Sequence, residues 1–261
     1  MSILREAKRV VVKVGTSTLT HKTGMLNIRR VECLVKTLSD LKNAGKEILL
    51  VTSGAIGVGA GKLALPERPT DMPTKQACAA LGQSELMYIY DKHFSAYNHN
   101  VAQVLLTRDV IEDSERKQNV SNTLYRLLSL SVVPIINEND TVSVEEIEFG
   151  DNDTLSAIVA RLVKADMLLV LTDIDGLYDR DPKSSPSARL ISHVEELTPE
   201  IQSLGGGKGS MFGTGGMAAK LKAASICMES GIPMAVLNGK DPLNIYRLLD
   251  GEPVGTLFGR R

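Results

Sequence analysis

Two neighbouring stretches of the chain concentrate short-armed acids and amides: INEND at 136–140 and GDNDT at 150–154. Asp and Asn at such positions close turns and cap helices, because their side chains accept backbone N–H groups. The same groups could instead line a site for a small polar molecule, with carboxylates taking an ammonium and carboxamides donating to a carboxylate. Two lysines far apart in sequence carry a second kind of chemistry. Lys13 interrupts the apolar run RVVVKV and is followed directly by GTS (15–17). A lysine in a strand can snorkel to a sheet edge, but beside GTS its tip would project toward the edge where ligands sit. Lys220 closes GTGGMAAK (213–220), whose glycines let the backbone fold closely round an anion before a helix that starts near Met217. Exposed N–H groups at a helix start attract phosphate, and Lys220 lies one turn in. Glycines also simply make loops. Together, however, the two lysines could clamp a transferring phosphoryl group.

These residues need elements to hold them. Apolar, β-branched runs predict strands at 9–14, 47–52, 102–107, 132–137, 167–172 and 233–238. Helical periodicity fills the intervals, at about 27–44, 74–97, 116–130, 154–164 and 217–230. In the fourth of these, Leu155, Ile158, Val159, Leu162 and Val163 keep the spacing of one buried face. Strands that are apolar throughout imply a mostly parallel sheet covered on both sides. The expected fold class is therefore α/β: a three-layer α/β/α sandwich forming one domain over 1–261, with a substrate-binding N-terminal half and a nucleotide-binding C-terminal half. VSVEEIEF (142–149) alternates weakly and reads as a hairpin arm or edge strand between the two acidic loops. LPERPTDMP (65–73) is a Pro-punctuated loop suited to a lid or boundary, and DRDPKSSPSARL (179–190) is a second turn-rich stretch. Open parallel sheets bind ligands beyond the carboxyl ends of their strands. The first, second, fourth and fifth strands end there in KVGTS, TSGAIG, NEND and TDIDG.

Composition removes several classes. The chain is 43% hydrophobic with no Trp and four Phe, so its core must be aliphatic. Thirty basic against 31 acidic residues leave a net charge of −1, unlike the basic footprint of a nucleic-acid binder. Cys33, Cys78 and Cys227 lie far apart in apolar helical contexts and read as buried structural thiols, without metal or disulfide spacing. The four histidines show no ligand pattern either. No apolar stretch approaches the ~20 residues that span a bilayer, and the N-terminus has no signal-peptide pattern. A soluble cytoplasmic protein is expected. GGGKGS (205–210) fails as a Walker A motif, since Gly209 stands where Ser or Thr should follow the lysine. Gly59, Gly61 and Ala64 form a nominal G-x-G-x-x-A, but it starts well past the strand, which suits a packing or loop role.

VVVKVGTSTLT, VTSGAIGVG, PIINENDTV, GDNDTLSA, LTDIDGLYDRDP and GTGGMAAKLKAA occur in order from about residue 8 to GTLF near 258. Together they resemble the glutamate 5-kinase family of the amino acid kinase superfamily, and INEND followed by GDND is the most specific part. The resemblance implies transfer of the ATP γ-phosphoryl group to the side-chain carboxylate of L-glutamate, giving L-glutamyl 5-phosphate on the way to proline. It implies that Lys13 and Lys220 neutralise charge on the phosphoryl oxygens while Asp153 organises them. Ser53, Asp140 and Asn152 would bind glutamate. On physical grounds Asp140 suits the α-ammonium, and Ser53 and Asn152 can donate to carboxylates. Lys13, Thr172, Asp173 and the loop of Thr214, Gly215, Gly216, Met217, Ala218, Ala219 and Lys220 would bind the nucleotide. Mg²⁺ would bridge the phosphates, held mainly by phosphate and water oxygens, since the sequence offers no convincing protein ligand. Also implied are a dimer or tetramer, feedback inhibition by proline at or near the glutamate site, and coupling to the reductase that consumes the acyl phosphate. Many relatives continue past GTLF into a small RNA-binding-like domain, and this sequence ends at Arg261. Other kinases of the superfamily, acting on acetylglutamate, carbamate, aspartate or a nucleoside monophosphate, are the enzyme alternatives. A non-catalytic sensor of proline or nucleotide is the alternative of another class.

Overall fold

A computed structural model describes residues 3–21, 23, 25–142, 152–182, 184–206 and 215–260. In chain order its elements are α1 (Ile3–Glu6), β1 (Arg9–Val14), α2 (Thr16–Leu19), α3 (Ile28–Asn43), β2 (Glu47–Val51), α4 (Ala55–Lys62) and α5 (Met72–Ser95). Next come β3 (Val101–Leu106), α6 (Arg108–Glu112), α7 (Ser114–Ser129), β4 (Val133–Glu138), α8 (Asn152–Leu162) and β5 (Met167–Thr172). The chain closes with β6 (His193–Val194), α9 (Pro199–Ser203), α10 (Gly215–Glu229), β7 (Met234–Asn238), α11 (Asn244–Leu249) and β8 (Thr256–Phe258). The eight strands are mostly parallel. The chain divides into two compact units, Val14–Asn152 and a second made of Met1–Lys13 with Asp153–Arg261.

In the unit Val14–Asn152 the strands lie in the order β3-β4-β2, with both pairings parallel. Leu50 and Val51 of β2 sit opposite Ile135 and Ile136 of β4, and the Thr52 N–H continues the ladder to the Ile136 carbonyl at 2.9 Å. That register brings the carboxyl ends of β2 and β4 side by side, with Thr52–Ser53 beside Asn137–Glu138. Helix α5 starts at an Asp71 cap that accepts the Thr74 N–H at 3.0 Å, with Pro in its first turn. Its buried face holds Cys78, Ala79, Gly82, Gln83, Leu86, Tyr90 and Phe94. Helices α4 and α5 touch through glycine. A Cβ on Gly59 would come within 1.9 Å of the Cys78 carbonyl oxygen, and one on Gly82 within 1.9 Å of the Ala55 carbonyl oxygen.

In the other unit the order is β1-β5-β7-β8-β6. β5 runs parallel to β7 with Thr172 opposite Asn238, β7 pairs antiparallel with β8, and β8 pairs parallel with β6. The Asp166 carboxylate accepts the Lys8 and Arg9 N–H groups at 2.8 and 2.7 Å, and this fixes the entry to β1. β5 is buried at every position. A strand buried on both faces has no use for polar alternation, as expected of parallel sheets.

Each of the six apolar strands expected from sequence forms, within a residue of the expected bounds, and so does each expected helix, within two. Helix α4 departs from expectation. Its sequence AIGVGAGK carries three glycines and no amphipathic stripe, so periodicity gave no sign of it. β6 and β8 are two and three residues long, too short for any periodic signal. Helix α8 is buried on more than the one face expected, since Asp153 to Ala157, Val159 and Ala160 are all inaccessible. Of the cysteines, Cys78 and Cys227 are buried and free, while Cys33 is only half-buried. Gly59 does have the packing role expected of it. The expected hairpin arm from 143 on, Gly150 and Asp151 lie outside the described residues.

Candidate active site

Lys13 comes from the carboxyl end of β1, Asp153 from the first turn of α8, and Lys220 from the second turn of α10. Lys13 Nζ lies 2.5 Å from Asp153 Oδ1, and Lys220 Nζ lies 3.0 Å from Asp153 Oδ2. One carboxylate thus receives one lysine on each oxygen. Side-chain exposures of 9%, 3% and 8% place the triad out of bulk water, where electrostatic interactions are strongest. Burial pushes the Asp153 carboxyl up, but the two ammonium groups and their hydrogen bonds outweigh it and hold the group below the usual carboxylate range. Asp153 therefore stays ionised, and the triad carries a net charge of +1. A buried surplus cation is costly until an anion offsets it. Lys220 Nζ also donates to the Gly216 carbonyl at 3.1 Å, which ties the lysine to the start of its own helix.

The other expected nucleotide residues lie in the same unit. Thr172 ends β5, is buried, and its carbonyl accepts the Gly239 N–H at 2.7 Å. Its hydroxyl donates to the exposed Asp173 carboxylate at 3.3 Å. Gly215, Gly216, Met217, Ala218 and Ala219 form the first turns of α10, and Thr214 lies outside the described residues. Asn238, at the end of β7, donates to Asp175 at 2.7 Å and joins the loops after β5 and β7.

The unit Val14–Asn152 holds the second arrangement. The Asn152 amide Nδ2 reaches the Thr52 carbonyl at 2.6 Å, Ser53 Oγ at 3.0 Å and Asn137 Oδ1 at 2.8 Å. Asn137 Oδ1 also accepts the Glu138 N–H at 2.9 Å, while Asn137 Nδ2 donates to Gln83 Oε1 at 2.9 Å. The Thr52 hydroxyl pairs with the Tyr90 hydroxyl at 2.8 Å, and burial pushes the Tyr90 phenol well up. Gly54 follows Ser53 at φ +99, a left-handed conformation that glycine adopts without strain, and it turns the chain from β2 into α4. The structure thus brings Ser53 and Asn152 together. Asp140 is half-buried in the turn after β4, in the same unit. From its residue type, Asn152 is expected to donate to a ligand carboxylate. Its two hydrogens already point at three acceptors of the chain, and Oδ1 is the atom with no hydrogen-bond partner among the described residues. Asn152 is therefore equipped to accept, and Ser53, whose oxygen accepts from it, keeps a hydroxyl hydrogen to donate.

Thr52, Gln83, Tyr90 and Asn137 were not singled out from sequence. A signal existed for two of them. Gln83 falls in register with Ala79, Leu86, Tyr90 and Phe94 on the buried face of α5, where an amide needs a partner. Asn137 belongs to the INEND stretch and stands with Glu138 at the polar end of β4.

A model of the amino acid kinase family matches residues 8–238. Glutamate 5-kinase of Listeria monocytogenes serotype 4a is 56% identical over 262 residues, covering 99% of this chain and 95% of that protein. The enzyme of the same name from Clostridium perfringens is 52% identical, covering 98% of this chain and 96% of its own length. Among solved structures, the product complex of an isopentenyl phosphate kinase from T. acidophilum superposes with a TM-score of 0.67 at 19% identity, covering 95% of this chain and 99% of that one. The UMP kinase of Ureaplasma parvum gives 0.68 at 17% identity, covering 97% and 99%. At such identities these two speak for the fold alone. No helix among the described residues is long and apolar enough to cross a membrane.

Proposed function

The chain belongs to the amino acid kinase family, and from that premise we propose that it phosphorylates the side-chain carboxylate of L-glutamate with ATP. The observation that carries the reading is the Lys13–Asp153–Lys220 triad, a buried arrangement with one positive charge in excess. More than half identity with glutamate 5-kinases over nearly the whole chain supports glutamate as the acceptor and ATP as the donor.

The chemistry needs no general base, because a carboxylate is already a nucleophile. One carboxylate oxygen attacks the γ-phosphorus, the bond from that phosphorus to the β,γ-bridging oxygen breaks, and ADP leaves with the electron pair. No proton moves. The obstacle is repulsion between an anionic nucleophile and an anionic phosphate chain, so catalysis rests on positioning and charge stabilisation. Lys13 and Lys220 offset charge on the phosphoryl oxygens. Asp153 holds both ammonium groups where that charge develops and needs no proton of its own. Thr172, Asp173 and the start of α10 bind the nucleotide. Ser53, Asp140 and Asn152 hold glutamate, with the Asn152 Oδ1 and Asp140 carboxylate oxygens suited to the α-ammonium and the Ser53 hydroxyl to a carboxylate.

Among the described residues there is no group of three or more His, Cys, Asp or Glu side chains able to hold a metal ion. Asp153 is itself committed to two lysines. Mg²⁺ would enter with ATP and would supply charge neutralisation on the phosphate chain. Proline, which shares the α-carboxylate of glutamate and carries a secondary ammonium on the same carbon, would compete for the Ser53–Asn152 cluster, and a homo-oligomer in the cytoplasm is the form proposed for the enzyme. The direct test traps the product. An acyl phosphate reacts with hydroxylamine to give a hydroxamate, so hydroxamate should form with glutamate and Mg-ATP together and with neither alone. ATP-dependent turnover of another acceptor, with none for glutamate, would refute the substrate.

A further inference from the structure

Gln83 makes no sense as a surface glutamine turned inward by chance. It is 7% exposed, lies mid-helix on α5, and its Nε2 is a buried donor without a hydrogen-bond partner among the described residues. Leaving such a donor unpaired is unfavourable, so the orientation that strands it must be imposed by something stronger. The chain of hydrogen bonds shows what imposes it. The Glu138 backbone N–H can only donate, so it fixes Asn137 Oδ1 toward itself at 2.9 Å. Asn137 Nδ2 is then directed at Gln83 and requires an acceptor there, which turns Oε1 inward and leaves Nε2 over. At the other end, Asn137 Oδ1 and the Thr52 carbonyl are both acceptors, so Asn152 must present Nδ2 to them and direct Oδ1 away. Two turns further along α5, the Tyr90 hydroxyl holds Thr52 by its side chain and steadies the strand end that supplies this carbonyl.

Resting on the function proposed above, we infer that Gln83 is a positioning residue for glutamate. Through Asn137 it locks the amide of Asn152 with its oxygen available to the substrate α-ammonium. The element required at position 83 is an acceptor, not an amide. Without it, Asn137 Nδ2 is left buried and unpaired, Asn137 gains a reason to turn, and the polarity of Asn152 toward the ligand is no longer fixed. Specificity follows, because an oxygen there favours a free ammonium, with its charge and three donors, over an acylated nitrogen with one neutral donor.

The test compares Gln83→Met, which keeps the length and apolar stem but has no comparable acceptor, with Gln83→Glu, which keeps an acceptor oxygen in either protonation state. Steady-state kinetics are measured with glutamate and Mg-ATP varied separately. Q83M should raise KM for glutamate about tenfold or more while KM for ATP stays within about twofold. Q83E should return KM for glutamate to within about threefold of the unaltered protein. Equal glutamate KM values for the two variants, or a Q83M value unchanged from the unaltered protein, would overturn the relay. Should Q83M fail to fold, Q83E decides alone, and a rise of about tenfold or more there overturns it. An unaltered protein that turns over no glutamate overturns the proposed function itself, and is told apart because in the other outcomes the unaltered protein is active.

Discussion

The proposed function gives Asp153 a structural and a catalytic part at once. Its carboxylate holds two buried lysines together, and in the proposed reaction that pair meets the transferring phosphoryl group. Asp153→Asn keeps the shape but removes the charge, leaving two like charges that repel. Glutamate-dependent kcat should fall about 100-fold or more, with KM for glutamate moving far less, because glutamate is held by other residues. Lys220→Ala should lower kcat by a similar factor and also raise KM for ATP. Stability carries a second signature. A carboxyl held below its usual range contributes stability that is present above its unfolded pKa and is lost as pH falls through its folded pKa. Urea midpoints of the unaltered protein should therefore decline below about pH 4, and the Asp153→Asn variant should decline less over that window. Near neutral pH the variant should be the less stable of the two, by about 3–5 kcal/mol. Equal slopes on the acid side would show that Asp153 is not the titrating group.

At the scale of elements, strand ends and helix starts carry the chemistry. Helix α4 begins directly after Ser53 and Gly54, and it lies against α5 so closely that Gly59 and Gly82 have no room for a Cβ. Gly82→Ala should cost about 1–3 kcal/mol or more in a urea titration, because backbone and not a flexible tip blocks the new methyl. It should also raise KM for glutamate more than KM for ATP, since α4 displaced would carry Ser53 with it. This dependence was invisible in sequence. The β-strands were legible because parallel strands buried on both faces read as apolar runs, and their polar ends stood out against them. Lys13 was legible because a charge inside such a run is anomalous, Lys220 because it closes a glycine-rich helix start, and Asp153 as part of an acid and amide cluster whose role the family resemblance implied. Helix α4 was not, since glycine removes the very stripe that periodicity detects. Gln83 and Tyr90 were not, since a polar atom on a buried helix face reveals its partner only when another element is in place. The polarity of Asn152 was beyond sequence for the same reason: residue type names both a donor and an acceptor, and only Thr52, Ser53 and Asn137 decide which of them faces outward.

For the molecule as a whole, the chemistry divides along the chain. In the proposed assignment the triad and the nucleotide residues belong to one compact unit, and the glutamate residues to the other. Consecutive residues, Asn152 and Asp153, carry one role each. Each ligand should therefore stabilise by its own linkage, about 2.7 kcal/mol at a concentration 100 times its Kd. Ser53→Ala should lose the thermal shift given by glutamate and keep that given by Mg-ATP, and Lys220→Ala should do the reverse. Loss of both shifts in either variant would contradict this division. The central claim is that the triad drives phosphoryl transfer to the glutamate side chain. Its most direct test is ADP release from Mg-ATP with L-glutamate, set beside aspartate, N-acetylglutamate, carbamate and UMP, in the unaltered protein and in Asp153→Asn. Release that depends on glutamate, exceeds that with every other acceptor, and falls about 100-fold or more in the variant is the predicted result. Release that survives the substitution, or that follows a different acceptor, would contradict the account.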